Sequence, residues 1–263
     1  MENKNKNIHL LKDGDSIRFS KSGIDYQFEY GKVYIPKTDS HTDEIILTEG
    51  NEISLPEKLY TPKSDEKFIN KVLNVYTDSA KSLGILLAGK KGTGKTVMAK
   101  QIAIKSNLPI ITVDNKMYAC DLKRLFIKLE NEPACFIFDE FDKFGERYDS
   151  DELLRIIDGV SSSGKNLMIF TANNTDDINN YMLDRCGRIR YYREFDEMQP
   201  SMITEILKDR LNDPSEASPL TDFIMSNFNL LSFDNVTAFA DEVNNYPNET
   251  FEDLLEDMNI SQK

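Results

Sequence analysis

The spacing of hydrophobic residues changes along this 263-residue chain, and each spacing predicts a different kind of structure. In residues 15–56, short pieces rich in Ile, Tyr, Phe and Val alternate apolar with polar positions, and glycines separate the pieces. Such alternation is typical of half-buried strands, whose successive side chains point to opposite faces of a sheet. It predicts three or four short antiparallel strands, followed by a helix over Ser64–Ala80 that begins with a serine cap and an acidic turn.

Between residues 84 and 195, four apolar runs alternate with amphipathic stretches; the runs are GILLAG, LPIITVD, ACFIFDE and NLMIFTAN. They are apolar almost throughout, as in strands that helices cover on both faces of a sheet. The stretches between them predict helices at Lys95–Ser106, Cys120–Asn131 and Ser150–Val160. Alternation of this kind predicts an α/β fold built on a parallel sheet.

Beyond residue 199 the pattern is helical only, and Pro, Ser and Asn separate the segments. The predicted helices are Pro200–Leu211, Leu220–Phe228, Phe233–Tyr246 and Thr250–Met258. We therefore expect three regions: an N-terminal β-rich element at residues 1–55, an α/β core at 56–198 and a small helical domain at 199–263.

The formal net charge of −13 is concentrated near the C-terminus, where Pro200–Lys263 holds 13 acidic and only 3 basic side chains. An acidic surface repels phosphate backbones and anionic membranes, which argues against nucleic acid as a partner. Two interpretations of the acidic stretch stay open: solvated helix faces, or a docking surface for another protein.

The remaining composition indicates a globular protein without a metal-binding cysteine motif. Cys120, Cys135 and Cys186 are not arranged as CxxC, and with two histidines they give no zinc-site spacing, so we expect reduced thiols. The polar N-terminus lacks a signal-peptide core, and no apolar run approaches the ~18 residues that a membrane span needs. We expect a soluble, cytoplasmic protein; its richness in Asn, Lys and Ile suits an AT-rich genome, a viral one included, which would place it in the host cytoplasm.

The segment GKKGTGKT carries the pattern of a phosphate-binding loop, because its GxxxxGK[ST] spacing lies between a predicted strand and a predicted helix. Glycines let backbone N–H groups converge on the phosphates, and the positive end of the helix adds to the attraction. Lys95 supplies a point charge, and the Thr96 hydroxyl is a ligand for Mg²⁺. We expect ATP and Mg²⁺ as cofactors. The predicted nucleotide-binding residues are Gly89, Lys90, Lys91, Gly92, Thr93, Gly94, Lys95 and Thr96.

Two carboxylates, Asp139 and Glu140, end the third apolar run. At the carboxyl end of a parallel strand they face the ligand crevice of such a sheet. Asp139 is the predicted holder of magnesium, with Thr96, and Glu140 the predicted general base toward water. Asn173 ends the fourth run, where it either orients the same water or serves as a turn residue.

The segment LDRCGRIRYYREF clusters basic residues in an otherwise acidic protein: Arg185, Arg188, Arg190 and Arg193. Such a cluster forms an ion-pair network, or it supplies the planar, bidentate donor that a γ-phosphate needs as charge develops during transfer.

The ordered segments GKKGTGKT, FIFDEFD, LLRIIDGVSSSGKNLMIFTANNTDDIN and LDRCGRI resemble the AAA ATPase family in its classical clade. They are similar to the type represented by the mitochondrial Rieske-protein translocase, and the resemblance extends from about Pro56 to Met258. It implies an AAA-type P-loop NTPase domain with a parallel sheet, and it makes the C-terminal helices the family's lid.

The same resemblance implies roles for single residues. Asn173 corresponds to the polar sensor, and Arg185 and Arg188 correspond to the two arginines that reach the ATP of a neighbouring subunit. The catalytic candidates are therefore Glu140, Asn173, Arg185 and Arg188. The site would be complete only between copies, so a homo-oligomeric ring, usually of six in this family, is expected.

The leading functional hypothesis is a ring-forming ATPase that remodels, translocates or disassembles a protein partner. One alternative is a nucleic-acid-linked ATPase of the helicase-loader or clamp-loader kind, and another is a slow-turnover, ATP-dependent scaffold or switch. Residues 1–55 either dock a substrate or adaptor or only buttress the ring. Met117 and Tyr118 form either an aromatic pore loop or a hydrophobic pair packed under the following helix.

Overall fold

The computed structural model describes residues 8–21, 26–144, 164–174, 189–195, 198–228, 232–256 and 258. Its strands are β1 (His9–Asp13), β2 (Ser16–Ser20), β3 (Val33–Thr38), β4 (Ile45–Glu49), β5 (Leu83–Gly89), β6 (Ile110–Val113), β7 (Cys135–Phe138), β8 (Leu167–Ala172) and β9 (Tyr191–Phe195). They form one sheet in the order β1-β2-β4-β3-β6-β7-β8-β5-β9.

The helices in these residues are α1 (Lys63–Asp78), α2 (Lys95–Lys105), α3 (Ala119–Lys128), α4 (Pro200–Arg210), α5 (Ala217–Asn227), α6 (Phe233–Asn245) and α7 (Phe251–Glu256). Short 3-10 helices occupy Phe141–Phe144 and Pro214–Glu216. Among the helices described, none has the length and apolar character to cross a membrane.

Three predicted helices of the core, at residues 64–80, 95–106 and 120–131, are present with small shifts at their ends. The largest shift is in α3, which ends three residues early, because Leu129 closes the helix with its N–H on the carbonyl of Leu125. Pro133 follows, and the residue before a proline disfavours helical backbone. The fourth prediction, Ser150–Val160, lies outside the described residues.

The chain folds into two compact units, whose boundaries differ from the three predicted regions. The first unit consists of Met1–Leu55, Phe68–Ala88 and Thr96–Glu194, and the second of Pro56–Lys67, Gly89–Lys95 and Phe195–Lys263. The division at residues 55/56 and 198/199 stays a prediction.

The first unit is built on the predicted parallel sheet, which the structure confirms. Strands β6, β7, β8 and β5 are parallel neighbours in that order. Every residue of β7 and β8 is buried, because both faces of the sheet are covered. Because β7, β8 and β5 are adjacent and parallel, their carboxyl ends lie at the same edge of the sheet. Strand β5 leads from this edge into α2.

The N-terminal strands are antiparallel to one another, as predicted, but they also extend the main sheet. Strand β3 pairs in parallel with β6 through Val33 and Ile110. Ile17, Tyr34 and Leu47 are buried in the same hydrophobic cluster as residues of the parallel strands. Burial raises the pKa of the Tyr34 hydroxyl, which also contacts the hydroxyl of Tyr26 at 3.2 Å.

The second unit contains the predicted C-terminal helices around a core that includes Ile203, Leu220 and Phe239. Helix α5 begins three residues earlier than its pattern predicts, because the 3-10 turn at Pro214–Glu216 runs directly into it. Pro219 then lies in the first helical turn, where a missing N–H costs no hydrogen bond.

Candidate functional site

The predicted chemistry collects where β7, β8 and β5 end. Asp139 directly follows β7, Asn173 directly follows β8, and the phosphate-binding loop follows β5. Register places Phe138 beside Phe170 in the parallel ladder, and Leu87 beside Thr171. Ligands of open α/β sheets bind outside the carboxyl ends of the strands, so this edge is the expected site.

The loop between β5 and α2 has a backbone that needs glycine. Gly89, Gly92 and Gly94 all have positive φ, of 136°, 78° and 102°, a region that residues with a side chain rarely adopt. Such turns direct successive N–H groups toward a common point, as anion-binding concavities do. The prediction that these glycines shape the loop is consistent with their geometry.

Lys95, the seventh residue of the sequence GKKGTGKT and the first of α2, is buried to 6% exposure. Its ammonium donates to the carbonyl oxygen of Lys90 at 2.5 Å, and the Thr93 hydroxyl donates to the same oxygen at 2.7 Å. The ammonium is therefore held inside the turn of the loop. Helix α2 also begins at Lys95, and the N–H groups of its first turn have no acceptor within the helix.

Thr96 brings the start of α2 to the first carboxylate. Its hydroxyl donates to Oδ1 of Asp139 at 3.3 Å. The sequence predicts these two residues as the oxygen ligands of magnesium, and the structure places their oxygens next to each other. Their assignment as ligands stays a prediction.

Asp139 and Glu140 form a tight turn that is anchored to the neighbouring strand. Glu140 has a φ of 52°, in the left-handed region. Its N–H donates to Oγ1 of Thr171 at 2.9 Å, and that hydroxyl donates in turn to Oδ1 of Asp139 at 2.5 Å. A single threonine on β8 thus contacts both residues of the carboxylate pair.

The side chain of Glu140 forms an ion pair with Lys143, one turn later in the 3-10 helix. Its Oε2 lies 2.5 Å from Nζ of Lys143, and the two side chains are 38% and 45% exposed. An ion pair in contact with solvent contributes only about 0–1 kcal/mol, so the carboxylate can exchange this partner for water.

Buried phenylalanine rings pack around the turn formed by Asp139 and Glu140, which we call the carboxylate turn. Phe138 stacks on Phe170 with ring centroids 4.9 Å apart, and Phe141 meets Phe170 edge-on at 4.8 Å. Phe144 is fully buried and lies 6.1 Å from Phe138. Both ends of the 3-10 helix are therefore fixed in the core, which gives the two acidic residues a rigid base.

The remaining predicted site residues divide into two groups. Asn173 is half-buried just beyond the end of β8, two residues after Thr171. Arg185 and Arg188 lie outside the described residues. Thr171 and Lys143 were not among the predicted site residues; the signal for Thr171 is a hydroxyl inside the otherwise apolar run LMIFTA.

The donor set suits magnesium better than a metal held by protein alone. Among the residues that the structure describes, no group of three or more His, Cys, Asp and Glu side chains could hold an ion. Mg²⁺ typically takes one or two protein oxygens and completes its shell with phosphate oxygens and water. Thr96 and Asp139 would provide that hard, partial oxygen site.

The segment that leads into α3 places its two hydrophobic residues differently. Met117 is partly buried and packs on the core of the first unit. Tyr118 is 71% exposed and directly precedes α3. The side chain of Tyr118 is thus available to a partner, whereas the side chain of Met117 packs against the core.

Comparison with known proteins agrees with this geometry. Residues 85–194 match the sequence pattern of the "ATPase family associated with various cellular activities (AAA)". The 26S proteasome regulatory subunit 6A of Encephalitozoon cuniculi is 32% identical in an alignment of 219 positions that covers 72% of this chain and 51% of that protein. The peroxisomal ATPase PEX6 of Kluyveromyces lactis is 33% identical in an alignment of 153 positions that covers 50% of this chain and 15% of that protein.

A third relative is the ATP-dependent zinc metalloprotease FtsH of Clostridium perfringens, 31% identical over 49% of this chain and 21% of that protein. The chain therefore spans about half the length of the first of these relatives and less of the others. A solved structure from work on the structural basis of katanin self-assembly superposes with a TM-score of 0.54 at 16% identity. It covers 74% of this chain and 72% of its own, and it shows the fold.

These matches do not test the finer resemblance to the mitochondrial Rieske-protein translocase, which stays a prediction. They converge with the strand order, the glycine loop after β5 and the carboxylate turn after β7. Residues 85–194 of this chain match the AAA ATPase family, and the relatives named above support its classical clade.

Proposed function

We propose that this chain hydrolyses ATP in the presence of Mg²⁺ and works as one subunit of a homo-oligomeric ring. The observation that carries the proposal is the contact between the Thr96 hydroxyl and Oδ1 of Asp139. It places the residue that ends the phosphate-binding sequence against the first of two consecutive carboxylates. The names of the relatives, an ATPase and an ATP-dependent protease among them, support the same activity.

Each step of the proposed reaction falls to a residue of this chain. The loop N–H groups and the ammonium of Lys95 bind the β- and γ-phosphates. Thr96 and Asp139 hold the magnesium ion, which supplies charge neutralisation at the phosphate oxygens when bound. The Glu140 carboxylate accepts the proton of the attacking water, and Asn173 orients that water by hydrogen bonding.

We further propose that Arg185 and Arg188 act on the nucleotide of a neighbouring copy. Arginine stabilises the charge that develops on a transferring phosphoryl group, and it is often supplied in trans. The name of the proteasome relative describes a subunit, and the katanin structure comes from a study of self-assembly. Both support an assembly of copies, and a ring of six is our specific proposal.

The proposed substrate is another protein rather than nucleic acid. The helical segment Pro200–Lys263 carries 13 acidic and 3 basic side chains, which repels a phosphate backbone. The relatives named above are a proteasome regulatory subunit, a peroxisomal ATPase and an ATP-dependent zinc metalloprotease. The names of the first and the third support a protein as the substrate. Remodelling or disassembly of a protein partner is therefore the role we propose.

The test is a Glu140→Gln variant compared with Glu66→Gln, which changes an exposed carboxylate on α1. We expect Glu140→Gln to bind ATP with wild-type affinity and to release no phosphate above background, since the proton acceptor is lost. Glu66→Gln should match the wild type in both measurements. Wild-type protein that binds ATP but does not hydrolyse it would refute the catalytic proposal.

A second measurement separates the two substrate classes. Phosphate release is followed with added unfolded protein, and separately with single-stranded DNA or RNA, at moderate salt. We expect stimulation by the protein and none by nucleic acid. Strong stimulation by nucleic acid alone would replace the protein-remodelling proposal with a nucleic-acid-linked one.

A further inference from the structure

Thr171 is a buried hydroxyl in a strand that is otherwise apolar. It is the fifth residue of β8 (LMIFTA), all of which is buried, and it is 2% exposed. Burying a hydroxyl without a hydrogen bond is destabilising, so its partners determine whether the residue is tolerated there. Both of its partners belong to the carboxylate turn.

The direction of each hydrogen bond follows from the chemistry of the groups. The Glu140 N–H can only donate, so Oγ1 of Thr171 accepts at 2.9 Å. An ionised carboxylate can only accept, so the single hydroxyl proton points to Oδ1 of Asp139, at 2.5 Å. Serine would reproduce both bonds, but alanine and valine would reproduce neither.

The two bonds act on different properties of the turn. The bond to Oδ1 fixes the rotation of the Asp139 carboxylate, and charge-assisted bonds of this kind are the stronger class. The bond from the Glu140 N–H holds a backbone with φ of 52°, a conformation that is strained for a residue with a side chain. Loss of the Thr171 hydroxyl would remove the hydrogen bond that holds the Glu140 N–H in this conformation.

Thr96 reaches the same oxygen of Asp139 from α2, at 3.3 Å. It belongs to the phosphate-binding sequence, whereas Thr171 belongs to the core of the sheet, beside Leu87 of β5. Oδ1 of Asp139 is thus held between a hydroxyl on the nucleotide side and a hydroxyl fixed in the protein interior. Neither of these contacts uses Oδ2.

We propose that Thr171 is a positioning residue that sets the geometry of both carboxylates through its one hydroxyl. It aims Asp139 toward magnesium and Glu140 toward water, without touching nucleotide itself. This inference rests on the proposed ATP hydrolysis for its catalytic readout. Its binding readout, magnesium-dependent nucleotide affinity, does not require hydrolysis.

The test compares Thr171→Ser with Thr171→Ala, because these two variants lack the same methyl group and differ only in the hydroxyl. We expect kcat of Thr171→Ala to be roughly 10- to 100-fold below that of Thr171→Ser, as for loss of a bond to a charged group. The magnesium concentration for half-maximal activity should be higher for Thr171→Ala than for Thr171→Ser. Affinity for ATP without magnesium should stay within about threefold, since Thr171 contacts no part of the phosphate-binding loop in these bonds.

Thr221 provides the matched control. It is also a buried threonine, at 4% exposure, and its hydroxyl donates to the carbonyl of Ala217 at 2.7 Å within the second unit. Thr221→Ala and Thr221→Ser should differ in thermal stability but not in kcat or in magnesium dependence. The control therefore reports what loss of a buried hydroxyl does to the fold alone.

Equal kcat and equal magnesium dependence for Thr171→Ala and Thr171→Ser would overturn the inference. Should Thr171→Ala fail to fold, Thr171→Val, which keeps the volume of the side chain, is compared with the wild-type protein instead, with the same expected losses. If the wild type does not hydrolyse ATP, the proposed function fails, and magnesium-dependent ATP binding still decides about Thr171. Binding that is equally magnesium-dependent in all variants would then count against it.

Discussion

The main-chain N–H of Phe233 donates a hydrogen bond to the carbonyl oxygen of Gly92 at 3.2 Å. Phe233 is the first residue of α6, and Gly92 is the middle glycine of the phosphate-binding loop. Ser232 caps the same helix by accepting from the N–H of Asn235. The loop and the first turn of a C-terminal helix are therefore in direct contact, within one compact unit.

This contact predicts a large effect of Gly92→Ala. The backbone there has a φ of 78°, and an added Cβ would lie 2.5 Å from Cβ of Ser232, which the backbone of α6 fixes. Overpacking of this kind costs about 1–3 kcal/mol, which converts to roughly 5- to 150-fold in affinity. We expect that loss in ATP affinity, measured by titration with a fluorescent nucleotide.

Gly31→Ala is the control for Gly92→Ala. Gly31 has nearly the same φ, 75°, but a Cβ there would meet no atom within 4 Å. It should lower the free energy of unfolding by about 1 kcal/mol and leave ATP affinity unchanged. Equal affinities for Gly92→Ala and the wild type would mean that the loop does not need this contact.

A small effect is expected from Lys143→Met, in contrast to Thr171→Ala. The ion pair of Lys143 with Glu140 is in contact with solvent on both sides, so its loss is worth at most about 1 kcal/mol. ATP hydrolysis should rise, by less than about fivefold, because Glu140 no longer shares its carboxylate with an ammonium group. Lys143→Arg should match the wild type; a loss of activity in Lys143→Met would make Lys143 part of the catalytic machinery instead.

Arg185→Ala should abolish hydrolysis and leave ATP binding intact, because an arginine supplied in trans contributes roughly 10³-fold or more to the rate. Mixing Arg185→Ala with Lys95→Ala tests the trans arrangement, since a wild-type interface forms between two inactive variants. Partial recovery of phosphate release in the mixture is the expected result. Arg210→Ala, which removes a surface ion pair with Asp241, is the control and should retain full activity.

The mixture distinguishes two origins of a defect in Arg185→Ala. No recovery at any mixing ratio, with both variants still assembling, would show that Arg185 acts within its own subunit. Loss of ATP binding in Arg185→Ala alone would lead to the same conclusion.

The exposed ring of Tyr118 predicts a defect that appears only with a protein substrate. Tyr118→Ala should change the free energy of unfolding by less than about 0.5 kcal/mol, since the side chain is 71% exposed. Basal hydrolysis should be unchanged, and stimulation by unfolded protein should be lost. Tyr30→Ala removes a ring that is 72% exposed and should retain stimulation; equal stimulation in both variants would exclude Tyr118 from substrate contact.

Cys135 predicts a pH dependence of stability. Burial raises the pKa of its thiol to about 12, with the Ser106 hydroxyl acting in the opposite direction. The protonated thiol therefore contributes stability fully below the unfolded pKa of about 8.5, and this contribution is lost as pH rises toward 12. Denaturant midpoints measured between pH 7 and 11 should fall more steeply for the wild type than for Cys135→Ala. Parallel curves would contradict the assigned burial.

Periodicity along the sequence is sufficient for the parallel core, because buried strands and covering helices each leave a local pattern. The loop glycines and the pair Asp139 and Glu140 were predictable for the same reason, since their chemistry is contiguous in sequence. Thr171 was not, because threonine is also an ordinary strand residue and its partners are more than 30 positions away. The pairing of β3 with β6 was missed on similar grounds: it joins Val33 to Ile110 across a long stretch of chain.

The pairing of β3 with β6 changes which strand lies at the edge of the sheet, with backbone N–H and C=O groups that no neighbouring strand pairs. Without β3, the outer side of β6 would present its unpaired N–H and C=O groups, a template for aggregation with other chains. The N-terminal strands move this edge to β1, which has five residues and carries Lys12. The Tyr26 N–H occupies the carbonyl of Leu10 there, at 2.6 Å. Strand β3 therefore covers an edge of β6 that would otherwise be open to pairing with another chain.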